Sequence, residues 1–137
     1  MGQSKPFNPT TVLVVEDDVD QRSLVGTLFE ESGFEVIECD NAEDALALMH
    51  DKGEQMALVY TDVVLPGRID GVDLAKTVHD ELPLVPVIVS SGAGGDRLKQ
   101  IPENAVFMQK PWRALDLLIA AERVRARLHE PQRRKAM

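Results

Sequence analysis

Four short apolar runs set the rhythm of the chain, and each ends in polar residues. Thr11 to Val15 runs into Glu16-Asp17-Asp18, Met56 to Val59 into Tyr60-Thr61-Asp62, Val85 to Val89 into Ser90-Ser91-Gly92, and Ala105 to Met108 into Gln109-Lys110-Pro111. Continuous apolar stretches of this length, rich in β-branched residues and without alternation, predict strands buried on both faces. The segments between them carry a different period. Asp18 or Asp20 is placed to cap a helix whose Leu24, Val25, Leu28 and Phe29 form an inward stripe, ended by Ser32-Gly33. Phe34 to Glu38 reads as a further strand. Asn41 is placed to cap a helix from Ala42 to His50, with Ala45, Leu46 and Met49 inward and Gly53 at its exit.

The strand from Met56 to Thr61 is followed by turn residues Pro66, Gly67, Asp70 and Gly71. A helix from Val72 to Asp80 comes next, with Val72, Ala75 and Val78 on one side. Pro83 and Pro86 bracket the approach to a strand over Val85 to Ser90. Gly92 to Pro102 holds only a few residues of helical pattern between glycines and proline, which predicts a short or loose helix there. After the strand from Ala105 to Met108, the longest helix is predicted from Trp112 to about His129. Leu115, Leu118, Ala121, Val124 and Leu128 are offered for its inner face, and Pro131 follows its end.

Five strand and helix units with connections too long for hairpins predict an α/β fold: a five-stranded parallel sheet with helices on both faces. A chain of 137 residues supplies one well-cored domain. The expected division is a flexible leader over 1–9, the domain over 10–129 and a basic, disordered tail over 130–137. In such a sheet the carboxyl ends of neighbouring strands share one crevice, the usual ligand position of open α/β sheets. Here that crevice would gather three or four acids, one or two hydroxyls and one lysine.

Composition narrows the function. A formal net charge of −8 argues against a nucleic-acid surface. The charge is uneven: residues 1–121 hold 9 basic and 21 acidic residues, a net of −12, whereas 122–137 hold 6 and 2, a net of +4. Arg123, Arg125, Arg127 and Arg133-Arg134-Lys135 could dock an acidic partner, but cations suited to a helix C-terminus and a soluble tail are the favoured reading. No apolar run is long enough to span a bilayer, and the first residues lack the apolar core of a signal peptide, so a cytoplasmic location is expected. Cys39 is the sole cysteine, which excludes an intrachain disulfide and suits a small buried apolar role. His50, His79 and His129 lack metal-ligand spacing and are assigned to helix surfaces.

Glu16, Asp17 and Asp62 at one mouth would repel one another unless a cation lay between them. An oxygen-only set without His or Cys suits Mg2+ better than zinc. Spacing alone leaves open that Glu16-Asp17-Asp18 is an acidic loop capping the first helix, with Asp18 as the cap. Lys110 would point its ammonium at the same mouth, to neutralise a carboxylate or hold a phosphoryl oxygen, or would be a solvated surface lysine. Ser90 and Ser91 add hydroxyls, or merely close a turn. Gly92-Ala-Gly-Gly-Asp-Arg97-Leu looks like a nucleotide loop, but Arg97 stands where the last glycine of that pattern belongs, and no Gly-Lys-Ser/Thr is present.

Taken together, Val-Leu-Val-Val-Glu16-Asp17-Asp18, Asp62-Val-Val-Leu-Pro-Gly-Arg-Ile-Asp70-Gly71, Pro86-Val-Ile-Val-Ser-Ser91-Gly92 and Phe107-Met-Gln-Lys110-Pro111 resemble the response-regulator receiver domain of two-component signalling, over about residues 10–128. The resemblance implies a doubly wound, flavodoxin-like sheet of order 2-1-3-4-5. It implies that Asp62 is the phosphoacceptor, taking a phosphoryl group from a phosphohistidine on a sensor histidine kinase or phosphotransfer protein. It implies Mg2+ ligation by Asp17, Asp62 and the backbone carbonyl of Val64, with Glu16 acting through water. Lys110 would pair with the phosphoryl group and Ser91 would be the switch hydroxyl, with Ser90 as the alternative. Phe107 would be the aromatic residue that moves inward.

The bistable face would comprise the Ser91 to Pro102 region, strand five and the last helix, read by an output partner that the sequence does not name. The chain departs from the pattern in three places. Glu16 stands where Asp is commoner, Gly67-Arg68-Ile69 lengthens the turn by one residue, and the weak helix signal after Gly92 suggests a looser output face. With only about eight residues expected after the last helix, the resemblance is to a stand-alone receiver, monomeric or weakly dimeric. It would promote its own phosphorylation without being a turnover enzyme. The same residues admit three rival readings. The first is a pseudo-receiver that binds partners without phosphorylation. The second is an aspartate-nucleophile phosphatase, which would need an acid at Val64 to protonate a leaving group. The third is a flavodoxin-like cofactor binder, whose phosphate Glu16-Asp17-Asp18 would repel.

Overall fold

The computed structural model describes residues 9–92, 96–103 and 105–128; the side chains of residues 124, 125, 127 and 128 are outside that description. Strands β1 (Thr11–Val15), β2 (Glu35–Cys39), β3 (Met56–Asp62), β4 (Val87–Ser91) and β5 (Ala105–Gln109) alternate with helices α1 (Val19–Glu31), α2 (Ala42–Lys52), α3 (Gly71–Glu81) and α4 (Ala114–Leu128). All four strand pairings are parallel, in the order β2-β1-β3-β4-β5. Connections therefore leave β1 in opposite directions across the sheet, and the crevice at this reversal lies between the ends of β1 and β3.

Every residue of β1 and β4 is buried, as continuous apolar strands covered on both sides require. One face of the sheet packs Leu13, Val59, Val87 and Val89 against α2 (Ala45, Met49) and α3 (Val72, Leu74, Ala75, Val78). The other packs Val12, Val14, Tyr60 and Ile88 against α1 (Val25, Leu28, Phe29) and α4 (Leu117, Ala121). Asp18 caps α1 by accepting from the Gln21 N–H, and Asn41 caps α2 by accepting from the Asp44 N–H.

The chain departs from its pattern at the edges of elements. Strand β2 begins at Glu35, because the Phe34 N–H is turned back to the Phe29 carbonyl at the end of α1 (3.2 Å), while Glu35 N–H reaches Thr10. Strand β4 begins at Val87: Val85 closes a turn to Leu82, and Pro86 has no N–H to give the ladder. Leu24, read as inward, is 53% exposed. The last helix starts at Ala114, since the Arg113 N–H is held by the Asp116 carboxylate and the helical bonds open on the Arg113 carbonyl. Among its described side chains Leu117 and Ala121 are buried and Leu118 is partly covered, whereas Leu115 is 57% exposed.

Between β4 and β5 the helix is indeed short, a 3₁₀ segment over Asp96–Gln100. No helix among the described residues is long and apolar enough to cross a membrane. The readings for residues 1–8, His129 and the 130–137 tail lie outside the described residues, as do the side chains of Val124, Arg125, Arg127 and Leu128.

Candidate functional site

Three strand ends deliver charge to the crevice. Glu16, first residue after β1, is 1% exposed and has its backbone tied on both sides: its N–H donates to the Cys39 carbonyl (3.0 Å) and its carbonyl accepts from Arg22 Nη1 (2.9 Å). Arg22 also donates to Glu38 (3.3 Å), so α1 clamps the end of β1 to β2. Asp62 closes β3, and Asp17 is exposed at the rim. One oxygen from each of Glu16, Asp17 and Asp62 lies within 4.8 Å of the others.

Lys110 reaches across from beyond β5. Its ammonium donates to Glu16 Oε1 (3.1 Å) and to Gln21 Oε1 (2.8 Å), and stands 3.3 Å from Asp62 Oδ2. Burial works against the lysine's charge, but the carboxylates of Asp62 and Glu16 outweigh it and leave the pKa raised. Glu16 is also raised, chiefly by burial and further by the charge of Asp62, against the pull of the Asp18 N–H and of Lys110. Three carboxyl groups face one ammonium, so the set carries an excess of negative charge. An all-oxygen donor set of this kind fits a hard divalent cation such as Mg2+.

The loop after Asp62 is held from two directions. The Gly71 N–H donates to the Val63 carbonyl (2.8 Å), and a methyl group at position 71 would collide with the Asp62 carbonyl oxygen. Asp70 caps α3 in a capping box with Asp73. Arg97, from the 3₁₀ segment, donates twice to the Asp70 carboxylate (2.7 and 3.0 Å) and once to Asp73 (2.9 Å). Burial pushes Asp70 up, yet these bonds hold its pKa below the ordinary value. The lengthened turn is fixed to α2 by Glu43, which accepts from the Arg68 N–H (2.8 Å). Val64, whose carbonyl the family pattern marks, is 71% exposed beside Asp62.

Both serines at the end of β4 are buried. Ser90 lies opposite Asp62 in the ladder, and its hydroxyl accepts from Trp112 Nε1 (3.0 Å). Ser91 belongs to the next register position, and its carbonyl accepts from the Lys110 N–H (2.9 Å). Phe107 lies opposite Val89, half-buried on β5. The pattern of acids and lysine was legible in the sequence, but Gln21, Arg22, Arg97 and Trp112 were not, since each acts through a long side chain reaching between elements distant in sequence. For Gly71 the signal is present in Asp70-Gly71, a pair that by itself indicates only a turn.

A profile for the response regulator receiver domain matches residues 12–122. The nitrogen assimilation regulatory protein NtrX of Azorhizobium caulinodans is 32% identical over 116 residues, covering 82% of this chain and 25% of that protein. The chain thus spans about a quarter of the length of that relative. The response regulator receiver protein CpdR of Brucella abortus is 28% identical over 116 residues, covering 82% of this chain and 94% of that one. Among solved structures, the receiver domain of NtrX from Brucella abortus superposes with a TM-score of 0.72 at 32% identity, over 84% of this chain and 98% of that one.

Proposed function

The chain belongs to the response regulator receiver domain family, and on that premise we propose that Asp62 accepts a phosphoryl group from a phosphohistidine and that the adduct switches partner binding. The observation that carries this reading is the Lys110 ammonium held between Glu16 and Asp62, with Asp17 at the rim. An Asp62 oxygen forms the new P–O bond as the donor's P–N bond breaks, and the proton on the leaving imidazole keeps it neutral. Glu16, Asp17, Asp62 and the Val64 carbonyl would hold Mg2+, which when bound screens negative charge on the phosphoryl oxygens. Lys110 supplies fixed positive charge where phosphoryl oxygens accumulate, so the site contributes positioning and electrostatics.

The adduct brings strong acceptor oxygens to the end of β3. In this reading the Ser91 hydroxyl donates to one of them, and Phe107 takes up the space released. The face formed by residues 91–102, β5 and α4 then differs between the two states, and an output protein reads the difference. The donor is a sensor histidine kinase or a phosphotransfer protein. The chain itself is a phosphoacceptor and not a turnover enzyme.

Intact-protein mass after incubation with a small phosphoryl donor tests this. One added phosphoryl group that needs Mg2+ and is lost in Asp62→Asn supports the reading. No adduct with any donor, with no Mg2+ binding, would replace it with a module that binds partners independently of phosphorylation.

A further inference from the structure

Lys110-Pro111-Trp112 hangs from two consecutive residues of β4. The backbone N–H of Lys110 donates to the Ser91 carbonyl (2.9 Å), and two residues on, the indole N–H of Trp112 donates to the Ser90 hydroxyl (3.0 Å). Ser90 faces the other way as well, since its carbonyl accepts from the Val63 N–H (3.0 Å), directly after Asp62. One serine therefore links the backbone that carries Asp62 to the segment that carries Lys110. The indole also packs on the Tyr60 ring, edge-on at 6.2 Å and 80°, and Tyr60 packs in turn on Phe29. The Tyr60 hydroxyl is buried in the same cluster, beside Ser90 and Trp112. Trp112 also lines an apolar hollow of about 260 Å³ with Gln21, Leu24, Val25, Lys110 and Pro111.

We infer that Ser90 and Trp112 are positioning residues for Lys110, acting through the hydrogen bond between them to hold its ammonium against Glu16 and Asp62. A lysine side chain has several rotatable bonds and no fixed fork, so its head is only as well placed as its backbone and its acceptors. Without the Ser90 hydroxyl, the indole N–H loses its acceptor and turns to the Tyr60 hydroxyl or to the hollow, and the Lys110 backbone follows. This role rests on the reading of Asp62 as phosphoacceptor. It assigns Ser90 a place in the reaction other than that of the switch hydroxyl.

The test compares phosphoryl incorporation from acetyl phosphate at saturating Mg2+, followed by intact mass, in wild type, Ser90→Ala, Ser90→Thr and Trp112→Phe, each checked for folding by urea titration. Trp112→Phe keeps an aromatic ring against Tyr60 and removes only the donor and part of the ring system. Both Ser90→Ala and Trp112→Phe are expected to slow incorporation about tenfold, within the range that small misplacements cost, while Ser90→Thr stays within about twofold of wild type. As the only tryptophan in the chain, Trp112 gives a second readout: its emission is expected to shift in Ser90→Ala before any donor is added. Wild-type rates in Ser90→Ala and Trp112→Phe would overturn the role, and so would a slowing that Ser90→Thr does not reverse. If Ser90→Ala does not fold, Trp112→Phe decides alone. A wild type that gains no phosphoryl group overturns the Asp62 reading instead, and the positioning role falls with it.

Discussion

Gly71 backs directly onto the carbonyl of Asp62, leaving no room for even a methyl group between the start of α3 and the end of β3. Strand β3, which ends in Asp62, and the helix after it are thus locked at backbone level, where no rotamer change can relieve a clash. Gly71→Ala is expected to lower stability by about 2–3 kcal/mol, the range of overpacked substitutions, and to slow phosphoryl incorporation by displacing Asp62. Urea titration beside an incorporation time course checks both; an alanine variant equal to wild type in each would contradict the contact.

Lys110 is the only cation among the described residues in salt-bridge range of both Glu16 and Asp62. Its removal leaves two inward carboxyl groups facing each other. Lys110→Met should cost about 2 kcal/mol in metal-free buffer, less than a fully buried pair would cost because Glu16 can take up a proton. Added Mg2+ should restore part of that loss, as a ligand that binds only the folded site does. Equal urea midpoints with and without Mg2+ in this variant would count against a cation site at these acids.

The Arg97 fork on Asp70 and Asp73 ties the connection between β4 and β5 to the N-terminus of α3. Arg97 is partly exposed, so Arg97→Gln should cost only about 1 kcal/mol at neutral pH. The pKa of Asp70 is lowered in the folded state. The contribution is therefore present above the unfolded value near 3.8 and is lost as pH falls through the lower folded value. The gap in stability between variant and wild type should close below about pH 4. A gap that persists in acid would place the role of Arg97 outside this ion pair.

The last helix separates two leucines that the sequence does not. Leu117 is fully buried against the sheet, and Leu115 is mostly exposed. Leu117→Ala is expected to cost about 2–4 kcal/mol and Leu115→Ala less than about 0.5. Thermal or urea melts of the two variants check the order, and the reverse order would contradict the helix phase.

These residues show where sequence was a sufficient guide. Strands covered on both faces announce themselves as apolar runs, so β1 and β3 were legible within a residue, and with them the order of acids and lysine at the crevice. Helix phase was harder in α4, because Leu115, Leu117, Leu118 and Ile119 offer apolar side chains nearly all round, and the entry through Trp112 and Arg113 sets which of them face the sheet. Leu24 misled for the converse reason: it continues the stripe of α1, yet lies on the flank toward Pro111 and Trp112, beyond the cover of the sheet. In the sequence Arg97 stands out only as the residue that spoils a nucleotide-loop pattern. Its bonds to Asp70 and Asp73 cross more than twenty residues of chain, a separation that no local signal reports.

Reductive trapping decides whether the acyl phosphate forms on Asp62 and on no other carboxylate. Borohydride treatment of protein incubated with acetyl phosphate and Mg2+ converts an aspartyl phosphate to homoserine, which peptide mass mapping locates. The expected result is homoserine at position 62, absent when Mg2+ is chelated. Homoserine at Asp17 or another carboxylate, or a phosphorylated protein with residue 62 unchanged, would contradict the account.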